Sequence, residues 1–392
     1  MKFLAIPLTL TTFFALSKAA EADDATSVAA IQWVEQAGGK LEYDGQKQVV
    51  GVDLLKYSAS DDDLQRLTSF PHLASLKILG SGVTGAGMVH LVRLAELKDL
   101  VLEGTSVGDD GLKELTALKG LVSLNLRRSA FSDAGLVHVR EFPKLQRLHL
   151  LFTATSNAGL AHLKGLTRLR LLDIRGCVQV SDAGMAHLAG LTNLESLKLR
   201  NPAVTDEGVK YFAGMTRLKS LALEDTGIGD GALAYLKDMN NLTELILMRC
   251  ISISDDGLAH LAGMTKMKRL SLRGIPIYGT GLVHLHGMTS LLDLDLSETL
   301  TKNAGLEQLK DMTSLEQLDL WHTRIQDDGL VCLAGLKNLK TLSLEDTVIT
   351  DAGLAHLKGL THLTELVLKL TQVTPDGIEE LKKALPGVKI KL

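Results

Sequence analysis

The sequence repeats one pattern of leucines every 24 or 25 residues, and this periodicity restricts the possible folds more than any other feature. The aligned leucines run from Leu73 to Leu363, with Met267 replacing one of them. Most blocks follow the pattern LxxLxLxxTx(V/I)(T/S)DxGLxxLxxL. We therefore predict about fourteen stacked units over residues 49–392, ending in a C-terminal cap strand.

Each block combines two periodicities. The alternation in LxLx is that of a β-strand, whereas GLxxLxxL spaces its leucines as on a short α-helix. Ser, Thr and Asp before the helix can accept its first free amide hydrogens, so we predict helix caps at Asp109, Asp133, Asp182, Asp206, Asp255 and Asp351. A later glycine is predicted to end the helix in a left-handed conformation at Gly165, Gly190, Gly214, Gly263, Gly335 and Gly359.

Such short strands and helices are unstable alone and must stack to cover their apolar faces. Leucine accounts for 79 of the 392 residues and supplies most of the core. Strands pack about 4.8 Å apart and helices about 8 to 10 Å apart, so the stack bends with its strands inside. The predicted fold is a curved α/β solenoid, a horseshoe with a parallel sheet on the concave face and short helices on the convex face.

The pattern resembles that of the leucine-rich repeat family. The segment 347–354 looks like the TDAGL-type units of exported bacterial proteins, and the 25-residue units with Cys177 and Cys250 look like the cysteine-containing, ribonuclease-inhibitor-like subtype. The family's usual asparagine is Thr, Ser or Cys in most units, and a hydroxyl group there can still bind loop backbone groups. The resemblance implies a scaffold that binds other molecules through its concave face.

The N-terminal region departs from the repeat pattern. Residues 1–22 resemble a cleaved export signal, with a positive Lys2, an apolar run of 14 residues and a small-residue motif at positions 20–22. Residues 23–48 are predicted to form an N-terminal cap, a short helix followed by a hairpin that turns at Asp44. The three cysteines are too few, and odd in number, for a disulfide framework.

No motif indicates catalysis or a bound cofactor. Residues 80–85, GSGVTG, match a dinucleotide-binding fingerprint, but they occupy the loop of a unit too short for the required crossover. Seven histidines share one helix position, where neighbouring helices are too far apart to share a metal ion: His90, His138, His162, His187, His260, His284 and His356. We therefore expect no metal, no cofactor and no enzymatic activity.

Side chains that point outward from the predicted sheet do not pack in the core, so they are available to bind a partner. One group places acidic residues around an exposed indole: Asp295, Asp319, Trp321, His322 and Glu345. A second group places basic residues around apolar ones: Arg127, Arg147, His149, Phe152, Arg175 and Arg200. Tryptophan is enriched at binding hot spots, and separated charges would orient a partner. We predict a binding surface centred on Trp321 and His322 with the basic group as a second contact; the alternative is that these charges only keep the face soluble.

The predicted protein is an exported, non-catalytic binding module that recognises a protein, bearing a glycan or not. We expect a monomer in the periplasm, at the cell surface or secreted, with no membrane-spanning segment once the signal is removed. A net charge of −4 without a basic run disfavours nucleic acid as a partner. Two alternatives stay open: a self-associating structural protein of the cell envelope, and a substrate receptor of ubiquitin ligation or a delivered effector.

Overall fold

The computed structural model describes residues 26–392, which form two compact units that divide between Ala154 and Thr155. The predicted export signal, residues 1–22, lies outside the described residues. Among the described residues, no helix has the length and apolar character needed to cross a membrane.

The first unit opens with helix α1 over residues 26–36 and an antiparallel hairpin, as predicted. The Asp44 carboxylate closes the hairpin turn by accepting hydrogen bonds from the amides of Gln46 and Gln48, both at 2.8 Å. The strands are β1 (Lys40–Tyr43), β2 (Val49–Ser60), β3 (Ser75–Gly82), β4 (Asp99–Glu103), β5 (Ser123–Asn125) and β6 (Arg147–His149). The helices are α2 (Asp61–Leu67), α3 (Met88–Leu91), α4 (Asp109–Leu115) and α5 (Asp133–Leu136), with 3₁₀ turns at Gly85–Gly87 and Val137–Glu141. Strands β2 to β6 pair in parallel and in chain order.

The second unit continues the strand–loop–helix pattern, again with parallel strands in chain order. Its strands are β7 (Leu171–Asp173), β8 (Ser196–Arg200), β9 (Ser220–Glu224), β10 (Glu244–Ile246), β11 (Arg269–Ser271), β12 (Asp293–Asp295), β13 (Gln317–Asp319), β14 (Thr341–Ser343), β15 (Glu365–Val367) and β16 (Lys389–Lys391). Its α-helices are α6 (Asn157–Ala161), α7 (Asp182–Leu188), α8 (Asp206–Val209), α9 (Asp230–Leu236), α10 (Asn303–Glu307), α11 (Asp351–Leu354) and α12 (Pro375–Ala384). The 3₁₀ helices are Lys210–Phe212, Asp256–Leu261, Thr280–Leu285, Asp327–Leu333 and Ala355–Leu357.

The leucine columns form the core of both units. In one repeat, Leu315, Leu320, Leu330 and Leu333 have no exposed surface at all. Strands pack on strands and helices on helices, so that each column of leucines lies between the sheet and the helical layer. The predicted fold class, an α/β solenoid with a parallel sheet on one side and short helices on the other, is confirmed within each unit.

The recurrent aspartates tie neighbouring repeats together. Asp230 Oδ1 accepts a hydrogen bond from the amide of Ser254 at 2.8 Å, and Oδ2 accepts one from its hydroxyl at 2.6 Å. The same pair of bonds joins Asp61 to Thr84, Asp109 to Ser132, Asp182 to Thr205, Asp327 to Thr350 and Asp351 to Thr374. The predicted capping role is therefore wrong for Asp109, Asp182 and Asp351, because their carboxylates are turned to the next repeat. Asp206 and Asp255 likewise accept hydrogen bonds from amides of the next repeat, those of Gly229 and Gly279. Ser or Thr is the N-cap in several repeats, as where the Thr84 hydroxyl accepts a hydrogen bond from the Ala86 amide, whereas Gly108 and Gly229 are the N-caps of α4 and α9.

The glycine of the repeated DxGL motif follows from these aspartate bridges. A Cβ atom on Gly257 would lie 2.0 Å from Asp230 Oδ1, and one on Gly353 would lie 2.4 Å from Asp327 Oδ1. The carboxylate of one repeat thus occupies the space that a side chain of the next would need. Thr, Asp and Gly of the motif therefore form one inter-repeat contact.

The glycines predicted to end the helices in a left-handed conformation mostly do not. Of those six, only Gly165 has a positive φ, at 93°. The chain leaves the helix through a further right-handed turn, since the Leu191 amide bonds to the Leu188 carbonyl at 2.8 Å. The helix therefore ends in a right-handed turn and not at a residue with a positive φ.

Candidate functional site

Side chains of the second unit reach the sheet surface at alternate strand positions. In β13, Leu318 is buried, whereas Gln317 is exposed and Asp319 is half-buried. Asp295 of β12 is the direct neighbour of Asp319 in the parallel register. Trp321 follows two residues later, with the buried Leu320 between. The predicted residues Asp295, Asp319 and Trp321 thus lie on the sheet surface.

In most repeats, one residue at or just after the strand end adopts a left-handed backbone. Its φ lies between 46° and 58° at Arg128, Phe152, Asp225, Arg249, Glu298, His322, Asp346 and Leu370. Glycine fills the same position at Gly80, Gly104, Gly176 and Gly274. A left-handed backbone costs a non-glycine residue on the order of 1–2 kcal/mol. The packing of the repeats must therefore hold the backbone in this conformation, which fixes the direction of these side chains. Sequence reasoning missed this constraint, for which the glycines in that column were the available signal.

Trp321 is half-buried beneath an arginine that sequence analysis did not single out. The Arg273 guanidinium lies 4.8 Å from the indole centroid, within cation–π range. Two hydrogen bonds to the Glu298 carboxylate, at 3.0 and 3.3 Å, hold the guanidinium in place. These bonds also raise the pKa of Arg273 above its ordinary value. The indole that was predicted to be exposed is therefore half of a stacked pair, which we call the Arg273–Trp321 stack.

An open depression, the edge depression, lies on one side of the stack. Its volume is about 540 Å³, and its lining residues are Arg249, Ile251, Gly274, Glu298, Trp321, His322 and Asp346. Gly274 interrupts the row of left-handed side chains, and a Cβ there would lie 2.7 Å from Arg249 Cγ. His322 is exposed, and its Nδ1 lies 2.5 Å from Asp346 Oδ2. The depression therefore combines apolar walls, from Ile251 and the indole, with a charged rim.

A second open depression, the sheet groove, has a volume of about 480 Å³. It is lined by Ile246, Met248, Arg269, Ser271, Arg273, Asp293, Asp295, Gln317, Leu318, Asp319, Thr341 and Ser343. Arg273 lines this groove while its stacking partner Trp321 lines the edge depression. The Arg273–Trp321 stack therefore contributes to both depressions.

The acidic residues of the groove differ in their partners. Asp293 receives the Arg269 guanidinium at 2.9 Å. Asp295 accepts hydrogen bonds from the hydroxyls of Ser271 and Ser297, at 2.7 and 2.6 Å, and Asp319 accepts one from the Trp321 amide at 2.9 Å. Burial, reinforced by the charge of Asp295, raises the pKa of Asp319 above its ordinary value.

Glu345, the remaining predicted acid, follows β14 and is half-buried, and its backbone carbonyl accepts a hydrogen bond from the His322 amide at 2.9 Å. Its backbone thus helps to hold His322 in place beside the edge depression.

The predicted basic residues do not form a separate positive region. In the first unit, Arg127 lies 3.2 Å from Glu103 and Arg147 pairs with Asp99. In the second unit, Arg175 pairs with Asp173 and Glu224 at 2.9 and 3.2 Å, and Arg200 pairs with Asp225 at 2.5 Å. Basic and acidic residues were expected to lie in separate groups on the sheet surface. That expectation is wrong for these arginines, because each of them has an acidic neighbour in the fold.

Phe152 and His149 are the other predicted residues of the first unit. Phe152 is 45% exposed, and the guanidinium groups of Arg127 and Arg128 lie 5.9 and 5.4 Å from its ring centroid. His149 is half-buried at the end of β6. This part of the first unit is an arginine–aromatic cluster.

The glycine-rich string, the histidines and the cysteines were considered above for cofactor binding, metal binding and disulfide formation. A Cβ on Gly80 of the glycine-rich string would lie 2.8 Å from Ser58 Oγ, so this glycine allows two strands to pack closely. Within residues 26–392, no group of three or more His, Cys, Asp or Glu side chains is placed to hold a metal ion. No disulfide joins the cysteines within the described residues, and Cys177 and Cys250 are buried.

Comparison with known proteins identifies the repeat in two segments of the chain. Family models described as leucine-rich repeat match residues 190–213 and 313–373. The chain therefore contains leucine-rich repeats. No curated protein matches its sequence.

Solved structures share the leucine-rich repeat fold with this chain. An internalin (InlF) from Listeria monocytogenes is 23% identical, covers 77% of this chain and 82% of its own, and has a TM-score of 0.63. A leucine-rich repeat protein of Leptospira interrogans is 19% identical, with coverages of 84% and 86% and a TM-score of 0.55. A chain of the yeast Rad7–Elc1 complex is 17% identical, with coverages of 99% and 98% and a TM-score of 0.54. At these identities the similarity concerns the fold alone.

Proposed function

We propose that this leucine-rich repeat protein is a non-catalytic module that binds a protein partner through the sheet surface around Trp321 and His322. The observation that carries the proposal is the Arg273–Trp321 stack, which borders two open depressions. Tryptophan and arginine are the side chains most enriched at binding hot spots, where a partly buried, rigid contact costs little entropy. Stacked repeats commonly present such surfaces to protein partners.

The arginine–aromatic cluster at Phe152 is proposed as a second contact. Its exposed ring lies beneath two guanidinium groups, so that aromatic and charged surface are presented together. Because Arg127 is also paired with Glu103, this contact contributes shape and hydrogen bonds more than unpaired charge.

The finer parts of the proposal come from the sequence. We propose that the protein is exported, that it acts as a monomer, and that its partner is a protein that carries a glycan or none. We also assign the repeats to the TDAGL type, with a resemblance to the cysteine-containing subtype, since Thr, Asp and Gly of the motif make one inter-repeat contact. Self-association as an envelope scaffold is the competing function.

The test is affinity capture from the envelope and medium of the native organism with three baits. The baits are the parent protein, a Trp321→Ala/His322→Ala variant, and a control Tyr235→Ala/His284→Ala variant. Tyr235 and His284 match the removed side chains in type and lie exposed on helices, away from the sheet. Circular dichroism of all three baits verifies that the fold is unchanged.

We expect a protein that the parent and the control retain and the Trp321→Ala/His322→Ala variant loses. If all three baits retain the same proteins, the sheet surface around Trp321 is not the binding site. If the baits retain only copies of this chain, self-association replaces partner recognition as the function.

A further inference from the structure

Two half-buried carboxylates lie side by side in the sheet groove. Asp295 and Asp319 are register partners in β12 and β13, so their side chains leave strands that are about 4.8 Å apart. Like charges at such positions destabilise a sheet. The same strand position is neutral on both flanks, with Ser271 in β11 and Ser343 in β14. The repeat therefore does not require an acid at either place.

The basic side chains around the groove are already engaged. Arg269 pairs with two other carboxylates, at 2.9 and 3.3 Å, and Arg273 pairs with Glu298 at 3.0 Å. Within the part of the chain that the structure describes, Asp295 and Asp319 make hydrogen bonds to hydroxyl and amide groups but no ion pair. Arg273 attracts both carboxylates through the groove without pairing with either, so each keeps a face open to a cationic group of a partner.

The same groove also offers apolar surface. Ile246, at the end of β10, and Met248 are half-buried and line it together with the two carboxylates. A lysine or arginine side chain is complementary to this groove, because its methylene stem matches the apolar surface and its cationic head matches the carboxylates. A bare cation would use the carboxylates alone, whereas a long basic side chain would use both parts of the groove.

We infer that the sheet groove receives a lysine or arginine side chain of the protein partner, with its cationic head between Asp295 and Asp319 and its stem against Ile246 and Met248. This inference rests on the proposed function and specifies the chemistry of the partner at that surface. The adjacent Arg273–Trp321 stack then contacts the partner's backbone or neighbouring side chain.

The direct test titrates two blocked peptides into the Trp33→Phe protein, whose single remaining tryptophan is Trp321. The peptides are acetyl-Gly-Arg-Gly-amide and its citrulline counterpart, which has nearly the same shape without the charge. We expect a saturable change in Trp321 fluorescence with the arginine peptide. The citrulline peptide should bind about tenfold more weakly, as expected for the loss of one charge-assisted contact.

The matched variants are Asp295→Asn/Asp319→Asn and, as a control, Glu365→Gln on β15 of the same sheet. The double variant should bind the arginine peptide about tenfold more weakly without a fall in melting temperature, because it removes a like-charge pair. Glu365→Gln should leave peptide binding unchanged. Loss of binding with retained stability separates a contact to the partner from a structural role.

Several results would overturn the inference. Equal binding of the two peptides, or of the arginine peptide to the parent and the double variant, shows that no cationic head is bound there. An equal fluorescence change with calcium chloride alone shows a metal ion site instead. If the captured partner is lost with Trp321→Ala/His322→Ala but kept by Asp295→Asn/Asp319→Asn, the proposed function stands and this inference fails.

Discussion

The contact between Asp230 and Gly257 gives a quantitative test of how the repeats are joined. A methyl group added by Gly257→Ala would lie 2.0 Å from Asp230 Oδ1, so the carboxylate must move and release the amide and hydroxyl of Ser254. At about 1 kcal/mol for each net hydrogen bond, the loss is about 2 kcal/mol. Alanine regains up to about 1 kcal/mol in helix propensity. Gly257→Ala should therefore destabilise the protein by at least about 1 kcal/mol.

The sign should reverse once the carboxylate is gone. Asp230→Ala removes the same two hydrogen bonds and should cost about 2 kcal/mol by itself. In that background the nearest remaining Asp230 atom is Cβ, at 3.2 Å, so Gly257→Ala should be neutral or should stabilise by up to about 1 kcal/mol. The predicted coupling energy between the two positions is about 2 kcal/mol.

The assay is urea unfolding followed by circular dichroism for the parent, both single variants and the double variant. Amide hydrogen exchange in the segment 250–262 reports the local opening if the repeats unfold in separate steps. Gly190→Ala is the control, since a Cβ there has no neighbour within 4 Å, and it should not destabilise the protein. A double variant whose loss equals the sum of the single losses would refute the proposed clash.

Two further predictions concern titratable groups. The hydroxyl and amide of Thr374 hold the pKa of Asp351 below its ordinary value of 3.8, so its stabilisation is present above pH 3.8 and is lost as the pH falls through the lower folded value. Asp351→Asn should therefore show a smaller loss of stability than the parent between pH 6 and pH 2.5 in urea unfolding, and equal losses would contradict this. Iodoacetamide should modify Cys332 before Cys177 and Cys250 in the native protein, because the latter two are fully buried whereas Cys332 is partly exposed. Mass spectrometry that finds Cys250 modified as fast as Cys332 would show that prediction to be wrong.

The sequence was sufficient to predict the solenoid of strand–loop–helix units and its core. The leucine positions act within one repeat of 24 or 25 residues, where alternation and helical spacing specify local structure. Repetition then multiplies the signal, because neighbouring units must stack in the same register to bury the same columns. The hairpin at Asp44 was equally predictable, since its turn is closed by contacts within five residues.

The direction of side chains between repeats was not predictable in the same way. Asp109 was assigned to its own helix, yet its carboxylate bonds to Ser132 of the next repeat. The same residue type at the same position can serve either contact. The distance between stacked repeats decides which of the two contacts forms. That distance cannot be deduced from the sequence of a single repeat.

The candidate site shows the same division. Trp321, Asp319 and Asp295 could be placed on the sheet surface from the strand alternation alone. The stacking of Arg273 on Trp321 and the pairing of Arg147 with Asp99 join residues 48 positions apart. Such long side chains reach across two strands, so their partners depend on how neighbouring repeats are stacked. The periodic apolar pattern thus specifies the solenoid. The exposed contacts are worth only about 1 kcal/mol each, and they depend on distances that exist only once the repeats are stacked.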